Sequence, residues 1–296
     1  MENFIFGGVA AGLAICVVNP IDVVKSRMQM QGELGSSGGR VYTGVLSGLT
    51  TIVRREGPKA LYKGLAPAIL FQMVGNSTRF GVYYAGKEYI GADKTLDSKA
   101  NFGLAMTAGG LAGVIACPFF TLKTQLQVQS SMAGELAVGY QHAHRGLVDA
   151  FRTTVRESGP AGLYAGLPAF LCRCVALVAA QMTTYDWAKQ NIRDQKLLVD
   201  NTALHVVSSA IAAGAACVCM QPFDLVGARM MNQPTSCGVG TRYASPFDCF
   251  IKTIRGEGPA GLYKGVGANY VRMGPQYILT FVFFEKLIES HRGWSR

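Results

Sequence analysis

Pro20-Ile-Asp22-Val-Val-Lys25-Ser-Arg27, closed later by Gly57-Pro-Lys-Ala-Leu-Tyr62-Lys63-Gly64, is a phrase that the chain writes three times. The second copy opens at Pro118 and closes with Gly159-Pro-Ala-Gly-Leu-Tyr164-Ala165-Gly166. The third opens at Pro222 and closes with Gly258-Pro-Ala-Gly-Leu-Tyr263-Lys264-Gly265. The prolines are 98 and 104 residues apart, a period too long for a solenoid unit. It suits three homologous modules, 1–96, 97–197 and 198–296, packed around a pseudo-threefold axis. Repeated apolar modules are a recurring plan of membrane transporters, whose solute binds where the repeats meet.

Composition agrees with that plan. Of 296 residues 49% are hydrophobic and 16% charged, with mean hydropathy +0.22. That is too apolar for a soluble domain and too polar for helices wholly immersed in lipid; a polar-lined cavity reconciles the two. Residues 3–21, 100–122 and 202–223 contain no Asp, Glu, Lys or Arg, and each stretch is long enough to cross a bilayer as a helix. A second apolar segment follows each closing glycine, at 65–84, 167–187 and 266–284, interrupted by Arg79, Arg173, Asp186 and Arg272. The expected fold is all-α, with six transmembrane helices in three two-helix repeats. Met1-Glu2-Asn3 runs straight into the first apolar stretch, which leaves no room for a cleavable presequence.

The net charge of +10 is compatible with nucleic acid, anionic lipid or an anionic solute. Nucleic acid is excluded as a partner because the basic residues are spread over all modules and form no known binding motif. Sixteen of the 28 basic residues fall in 22–63, 119–165 and 223–264, which turns those connections toward the negatively charged compartment. Cys172/Cys174 and Cys217/Cys219 lie two residues apart, a spacing that points helical side chains to different faces. Without His or carboxylate partners they suggest buried thiols and no metal site. No phosphate loop, dinucleotide fingerprint or nucleophile elbow is present, and no histidine has a positioned partner, so neither an enzyme nor a cofactor is expected.

A proline inside a membrane helix kinks it and frees backbone groups that neighbours must satisfy. Kinks at Pro20, Pro118 and Pro222 draw three helices together at one end. The acidic and basic positions two and five residues later share a face, and around a threefold axis they form a ring of charges on a cavity floor. This pattern, Pro-x-Asp/Glu-x-x-Lys/Arg-x-Lys/Arg followed by Asp/Glu-Gly, four residues, aromatic, Lys/Arg and Gly, is the signature of the mitochondrial carrier family, which the chain resembles over its whole length.

The resemblance implies three modules, each with a short matrix-side surface helix, around a substrate path that opens alternately to either face. It places the chain in the mitochondrial inner membrane with both termini toward the intermembrane space, and it implies a functional monomer. Each odd helix's acid pairs there with the next repeat's base. Here Asp22 pairs with Lys123 and Asp224 with Lys25, while the third pair, Phe120 with Gly227, has lost both charges together. An orphaned charge in a partly dry ring costs more than an absent pair. Gln29 and Gln127 occupy the positions where the family braces these bridges.

At the other mouth the family's aromatic-Asp/Glu-x-x-Lys/Arg motif is intact as Tyr185-Asp186-Trp-Ala-Lys189. Tyr83-Tyr84-Ala-Gly-Lys87 lacks the acid and Phe284-Glu285-Lys-Leu-Ile288 lacks the base. Only Glu285 with Lys87 remains complete, so the cytosolic gate is expected to be the weaker. The family also binds cardiolipin at matrix-side helix N-termini, where free backbone N–H groups favour anions; Gly64, Gly166 and Gly265 mark those places.

The informative asymmetry lies seven residues past each closing glycine: Phe71 with Gln72, Arg173 with Cys174, and Arg272 with Met273. A mid-membrane charge costs ~2.5–3.5 kcal/mol on insertion scales and so faces an aqueous cavity. Arg79 shares a face with Gln72; Arg272, Gln276 and Thr280 line the last helix, and Arg173, Gln181 and Thr184 the fourth. Three arginines with no acid at their level suit a small anion of two negative charges, because guanidinium forks match carboxylate or sulfate oxygens. The competing reading pairs an arginine with a gate carboxylate, with Arg79 the first to suspect. Family substrate contacts fall at the same three positions, and Gln29-Met-Gln-Gly-Glu33, Gly64-Leu-Ala-Pro-Ala68 and Asn232-Gln-Pro-Thr235 resemble the oxaloacetate and sulfate branch. The expected function is exchange of dianions of the oxaloacetate, dicarboxylate or sulfate type. The alternatives are a proton-leak or uncoupling-type anion carrier, or a non-transporting membrane adaptor.

Overall fold

The computed structural model describes residues 2–33, 41–90, 98–130, 137–194, 202–236 and 239–294. Each repeat runs long helix, short helix, one 3-10 turn, long helix. The first contains α1 (Glu2–Met30), α2 (Val45–Glu56), a turn over Pro58–Tyr62 and α3 (Leu65–Ile90). The second contains α4 (Ser98–Val128), α5 (Leu147–Ser158), a turn over Pro160–Tyr164 and α6 (Leu167–Asp194). The third contains α7 (Thr202–Asn232), α8 (Pro246–Glu257), a turn over Pro259–Tyr263 and α9 (Val266–Trp294), with β1 (Thr235–Ser236) pairing antiparallel to β2 (Val239–Gly240) between α7 and α8.

The six long helices have 26 to 31 residues, about 40–46 Å at 1.5 Å per residue, enough to cross a bilayer with tilt. Four segments are long and apolar enough to span by composition: Phe6–Met30, Asn101–Val128, Pro160–Asp194 and Leu204–Asn232. Helices α3 and α9 match them in length and carry Arg79 and Arg272 among other charges. The helices close into a ring in the order α1, α3, α4, α6, α7, α9 and back to α1, with α1, α4 and α7 also touching one another. Large apolar side chains such as Val17, Ile115, Val206, Val218 and Phe281 are exposed, as a lipid-facing wall requires.

The repeated phrase explains how each module folds. Pro20, Pro118 and Pro222 lie inside α1, α4 and α7, and the residue before two of them turns polar to hold the module together. Asn19 Nδ2 donates to Leu61 O at 2.8 Å, and Gln221 Nε2 donates to Lys264 O at 2.7 Å. In the second repeat, where Cys117 takes that place, the Thr121 hydroxyl donates to Leu163 O at 2.8 Å. The short helices bury one face, through Ile52, Ala150 and Cys249. Each ends at a Gly-Pro pair whose glycine adopts positive φ (Gly57, Gly159, Gly258), a backbone stop that the following proline enforces.

Candidate functional site

The ends of α1, α4 and α7 beyond their prolines bring the ring of charges together. Lys123 Nζ lies 2.7 Å from Asp22 Oδ2, and Lys25 Nζ lies 2.6 Å from Asp224 Oδ2. All four side chains are at least nine-tenths buried. At the third place Phe120 packs against Phe71 and Phe170, with ring centroids 5.1 and 5.0 Å away. A Cβ at Gly227 would stand 3.6 Å from Ala169 and 3.8 Å from the Phe170 backbone. Aromatic packing and a small residue stand in for an ion pair.

Gln29 Nε2 donates to Asp224 Oδ2 at 2.8 Å. Gln127 does not do the equivalent: its Nε2 donates to Asn19 Oδ1 at 3.1 Å and its Oε1 accepts from Ser26 at 2.8 Å. The local reason is that Ser26 and Asn19 offer a donor and an acceptor next to it, while the second oxygen of Asp22 is already held by Arg272.

That arginine corrects the expectation that no acid stands at the level of the cavity cations. Arg272 Nε lies 3.1 Å from Asp22 Oδ1, and Arg173 Nη1 lies 3.5 Å from Asp224 Oδ1. Arg79, the first suspected of such a pairing, is exposed and makes no ion pair among the described residues. The long side chains of Arg173 and Arg272 span the gap from the even helices down to the floor acids. Arg173 also sits over the Phe170 and Phe120 rings, at 4.8 and 5.7 Å from their centroids, which adds cation–π attraction. Two aspartates and four cations therefore share one cluster, leaving two positive charges over. Gln276 is 6% exposed, and its Oε1, like Arg173 Nε, has no hydrogen-bond partner among the described residues. Gln72 is half-buried and Gln181 exposed.

At the opposite mouth the expected Glu285/Lys87 bridge is not formed; both side chains are exposed, as is Asp186, and Lys189 is half-buried. Among the described residues no ion pair joins any of the four. Helices α3 and α9 are not ring neighbours, since α1 stands between them, and side chains on non-adjacent helices meet only where the helices converge. Among the described residues, ion pairs join the helices at the floor and leave these four residues at the other mouth unlatched.

Sequence reasoning missed a second tier of charges just beyond the ring. Arg27, whose side chain is fully buried, pairs with Glu56, which also takes Lys63 Nζ at 3.3 Å. Arg27 Nη2 and Lys63 Nζ both donate to Gln129 O at 3.0 Å, so the cluster caps the end of α4. Arg229, Glu257 and Lys264 repeat it: Arg229 Nη1 is 2.5 Å from Glu257 Oε1 and its guanidinium reaches Gln29 O, while Lys264 Nζ donates to Gln31 O at 2.8 Å, at the end of α1. The second repeat has Gln125, Ser158 and Ala165 at these places. There Gln125 Nε2 donates to Met231 O at 3.1 Å, and Ser158 meets Thr235. Thus, among the described residues, α4 meets α7 with neither an acid–base bridge nor a charged cap, whereas the other two odd-helix seams have both. The signal was in the sequence: the three positions are charged together in repeats one and three and uncharged together in repeat two.

The glycines expected to mark lipid sites have a packing role here. A Cβ at Gly64 (φ +72) would stand 2.8 Å from Gln127 Cγ and 3.0 Å from Lys123 O; at Gly166 it would stand 2.9 Å from Gly227 O; at Gly265 it would stand 3.3 Å from Gln29 Cγ. They let each even helix start against the next odd helix. Lys63 and Lys264 are engaged with glutamates and carbonyls.

A closed ring of six helices with a charged site where its three proline-containing helices meet defines a membrane carrier of solutes. The chain belongs to the mitochondrial carrier family, whose model, described as mitochondrial carrier protein, matches residues 1–94, 95–196 and 199–292. It is 35% identical over 293 residues to the mitochondrial oxaloacetate transport protein of Schizosaccharomyces pombe, covering 97% of this chain and 89% of that protein. It is 36% identical over 304 residues to solute carrier family 25 member 35 of Mus musculus, covering 99% and 100%. With the mitochondrial citrate transporter E of Aspergillus niger it shares 34% over 290 residues, covering 96% and 91%. It is a transporter and not an enzyme, a multi-pass protein of the mitochondrial inner membrane.

Proposed function

We propose that this carrier exchanges small anions of two negative charges, of the oxaloacetate, dicarboxylate or sulfate type, by alternating access. The observation that carries the reading is the floor cluster of Asp22, Asp224, Lys25, Lys123, Arg173 and Arg272, whose surplus of two positive charges one dianion neutralises. Gln276, buried with an unpartnered oxygen, and Gln72 offer uncharged polar contacts beside it. The names of the oxaloacetate and citrate relatives favour the same substrate class. In this reading the short helices and the floor face the matrix, both termini face the intermembrane space, and the other mouth is the cytosolic one. The protein works as a monomer, with cardiolipin at its matrix edge.

The test is uptake by the purified protein in liposomes of labelled oxaloacetate, malonate and sulfate, with and without internal dianion. Nucleotides and amino acids serve as negative controls. Uptake of dianions that depends on internal dianion supports the assignment. Transport of nucleotides or amino acids with no dianion overturns it.

A further inference from the structure

The threefold plan makes one pair of contacts comparable in all three repeats. Arg272 and Arg173 lie seven residues past their closing glycines, and each leans to an aspartate two residues past a proline on the neighbouring odd helix, Arg272 to Asp22 at 3.1 Å and Arg173 to Asp224 at 3.5 Å. Phe71 and Phe120 hold the same two places in the remaining column. There the contact is between rings, with centroids 5.1 Å apart. Phe170 completes the group, 6.0 Å from Phe71 and 5.0 Å from Phe120. Phe170 is buried like a core residue, whereas Phe71 and Phe120 are half-buried. By the symmetry of the repeats their open faces line the same cavity as the two arginines. Packing alone does not call for this, since ring surface left beside a charged floor forgoes the gain of full burial.

We propose that Phe71 and Phe120 determine which dianion the carrier accepts: they admit one whose third arm is apolar and turn away one whose third arm is charged. This rests on the dianion reading of the site. Arg173, Arg272 and Phe71 hold one repeated position on the three even helices, so a substrate that branches at one carbon sends a carboxylate to each guanidinium and its remaining arm to the rings. An alkyl or aryl arm is taken out of water there and packs against an aromatic face. A carboxylate in the same place gives up hydration and meets the negative face of the rings. The nearby cations do not offset that cost. Arg173 stands over the Phe170 and Phe120 rings and Lys123 Nζ is 5.8 Å from the Phe120 centroid, but Lys123 is bonded to Asp22 and Arg173 is taken by the first carboxylate. Sulfate has no such arm and gains nothing from the rings. The arginines read charge, and the aromatic column reads the rest of the molecule.

The experiment measures, for the full-length protein in liposomes, how malonate, phenylmalonate and propane-1,2,3-tricarboxylate compete with uptake of labelled malonate. Phenylmalonate should half-inhibit at about a tenth of the malonate concentration, the factor that an aromatic contact and its burial are worth, and the tricarboxylate should be the weakest of the three. Phe71→Gln and, independently, Phe120→Gln should erase the preference for phenylmalonate, whereas Phe71→Leu, still apolar, should keep most of it. Phe71→Arg with Phe120→Asp gives this column the charges that the other two carry. It should erase the preference and strengthen inhibition by the tricarboxylate about tenfold, the factor of one charge-assisted contact. If the competitors keep their parental ranking in all these variants, or phenylmalonate is no better than malonate in the parent, the column is packing and the proposal is overturned while the dianion reading stands. If no dianion is taken up or competes, the function reading fails and takes the proposal with it. Each outcome is a ratio of competitors on one protein sample, so a variant that folds in lower yield still decides.

Discussion

Glu56 is the place where a single charge should matter most for stability. Its fully buried side chain holds Arg27 through both oxygens, takes Lys63 at 3.3 Å and accepts from Ser130 at 3.1 Å. Glu56→Gln takes from Arg27, fully buried, the carboxylate that pairs with it, and takes the same carboxylate from Lys63, 24% exposed. Removing one partner of a buried pair costs about 3–5 kcal/mol. With an unfolding entropy of about 2.1 cal/mol/K per residue, that is a fall in Tm of about 5–8 °C. The assay is thermal unfolding in detergent, read by a thiol-reactive dye on the buried cysteines Cys117, Cys217 and Cys249. The double variant Arg27→Gln with Glu56→Gln should recover part of the loss, but not all of it, because Arg27 also caps carbonyls of α4. Asp248→Asn, at an exposed pair, sets the scale for a surface charge. If Glu56→Gln lowers Tm no more than Asp248→Asn does, the buried cluster is not what holds α1 and α2 to α4.

Four further outcomes are expected. Arg272→Ala should cut dianion uptake in liposomes at least tenfold while Tm falls by no more than a few degrees, because the cation it removes is a surplus one. Asp22→Lys should impair transport, and adding Lys123→Asp should restore more of it than adding Lys25→Asp, since Asp22 bonds Lys123; equal rescue would dissolve the inter-repeat pairing. Gly64→Ala should cost about 2–4 kcal/mol through positive φ and collision with the α4 backbone, whereas Gly267→Ala, with open space around it, should cost nothing measurable in the same melt. His142, in the connection between α4 and α5, has its pKa lowered to about 4 by burial first and by neighbouring His144 second. The folded protein therefore resists its protonation, and that stability, complete above pH 6.5, is lost as pH falls toward 4. Between pH 7 and 5 the His142→Gln variant should lose about 1–2 kcal/mol less than the parent, measured by Tm across the interval.

The sequence carried the architecture well because its signals were periodic and repeated. Charge-free runs marked α1, α4 and α7, the family resemblance implied the short helices, and the spacing of Asp22, Lys25, Lys123 and Asp224 placed them in one ring. It also carried the joint absence at Phe120 and Gly227. The reach of side chains was not legible. Arg173 and Arg272 lie in mid-helix by spacing, and nothing in a linear pattern says that a long guanidinium will lean to an acid of another repeat. Gln127 failed for a similar reason, since a glutamine takes whichever partners its neighbours offer, here Asn19 and Ser26. The clusters around Glu56 and Glu257 were legible in principle, because covariation within one chain is visible wherever a chain repeats itself.

The uncharged contact between α4 and α7 gives the three seams different thermal characters. Apolar contacts weaken on cooling, while the cost of dehydrating charged groups falls with heating, so ion pairs gain on the warm side. The seam built from Phe120, Phe170, Met231 and Gln125 therefore loosens first in the cold, and those held by Asp22 with Lys123 and Asp224 with Lys25 keep their grip best in the heat. A threefold-symmetric plan thus yields a barrel whose weakest joint is set by temperature.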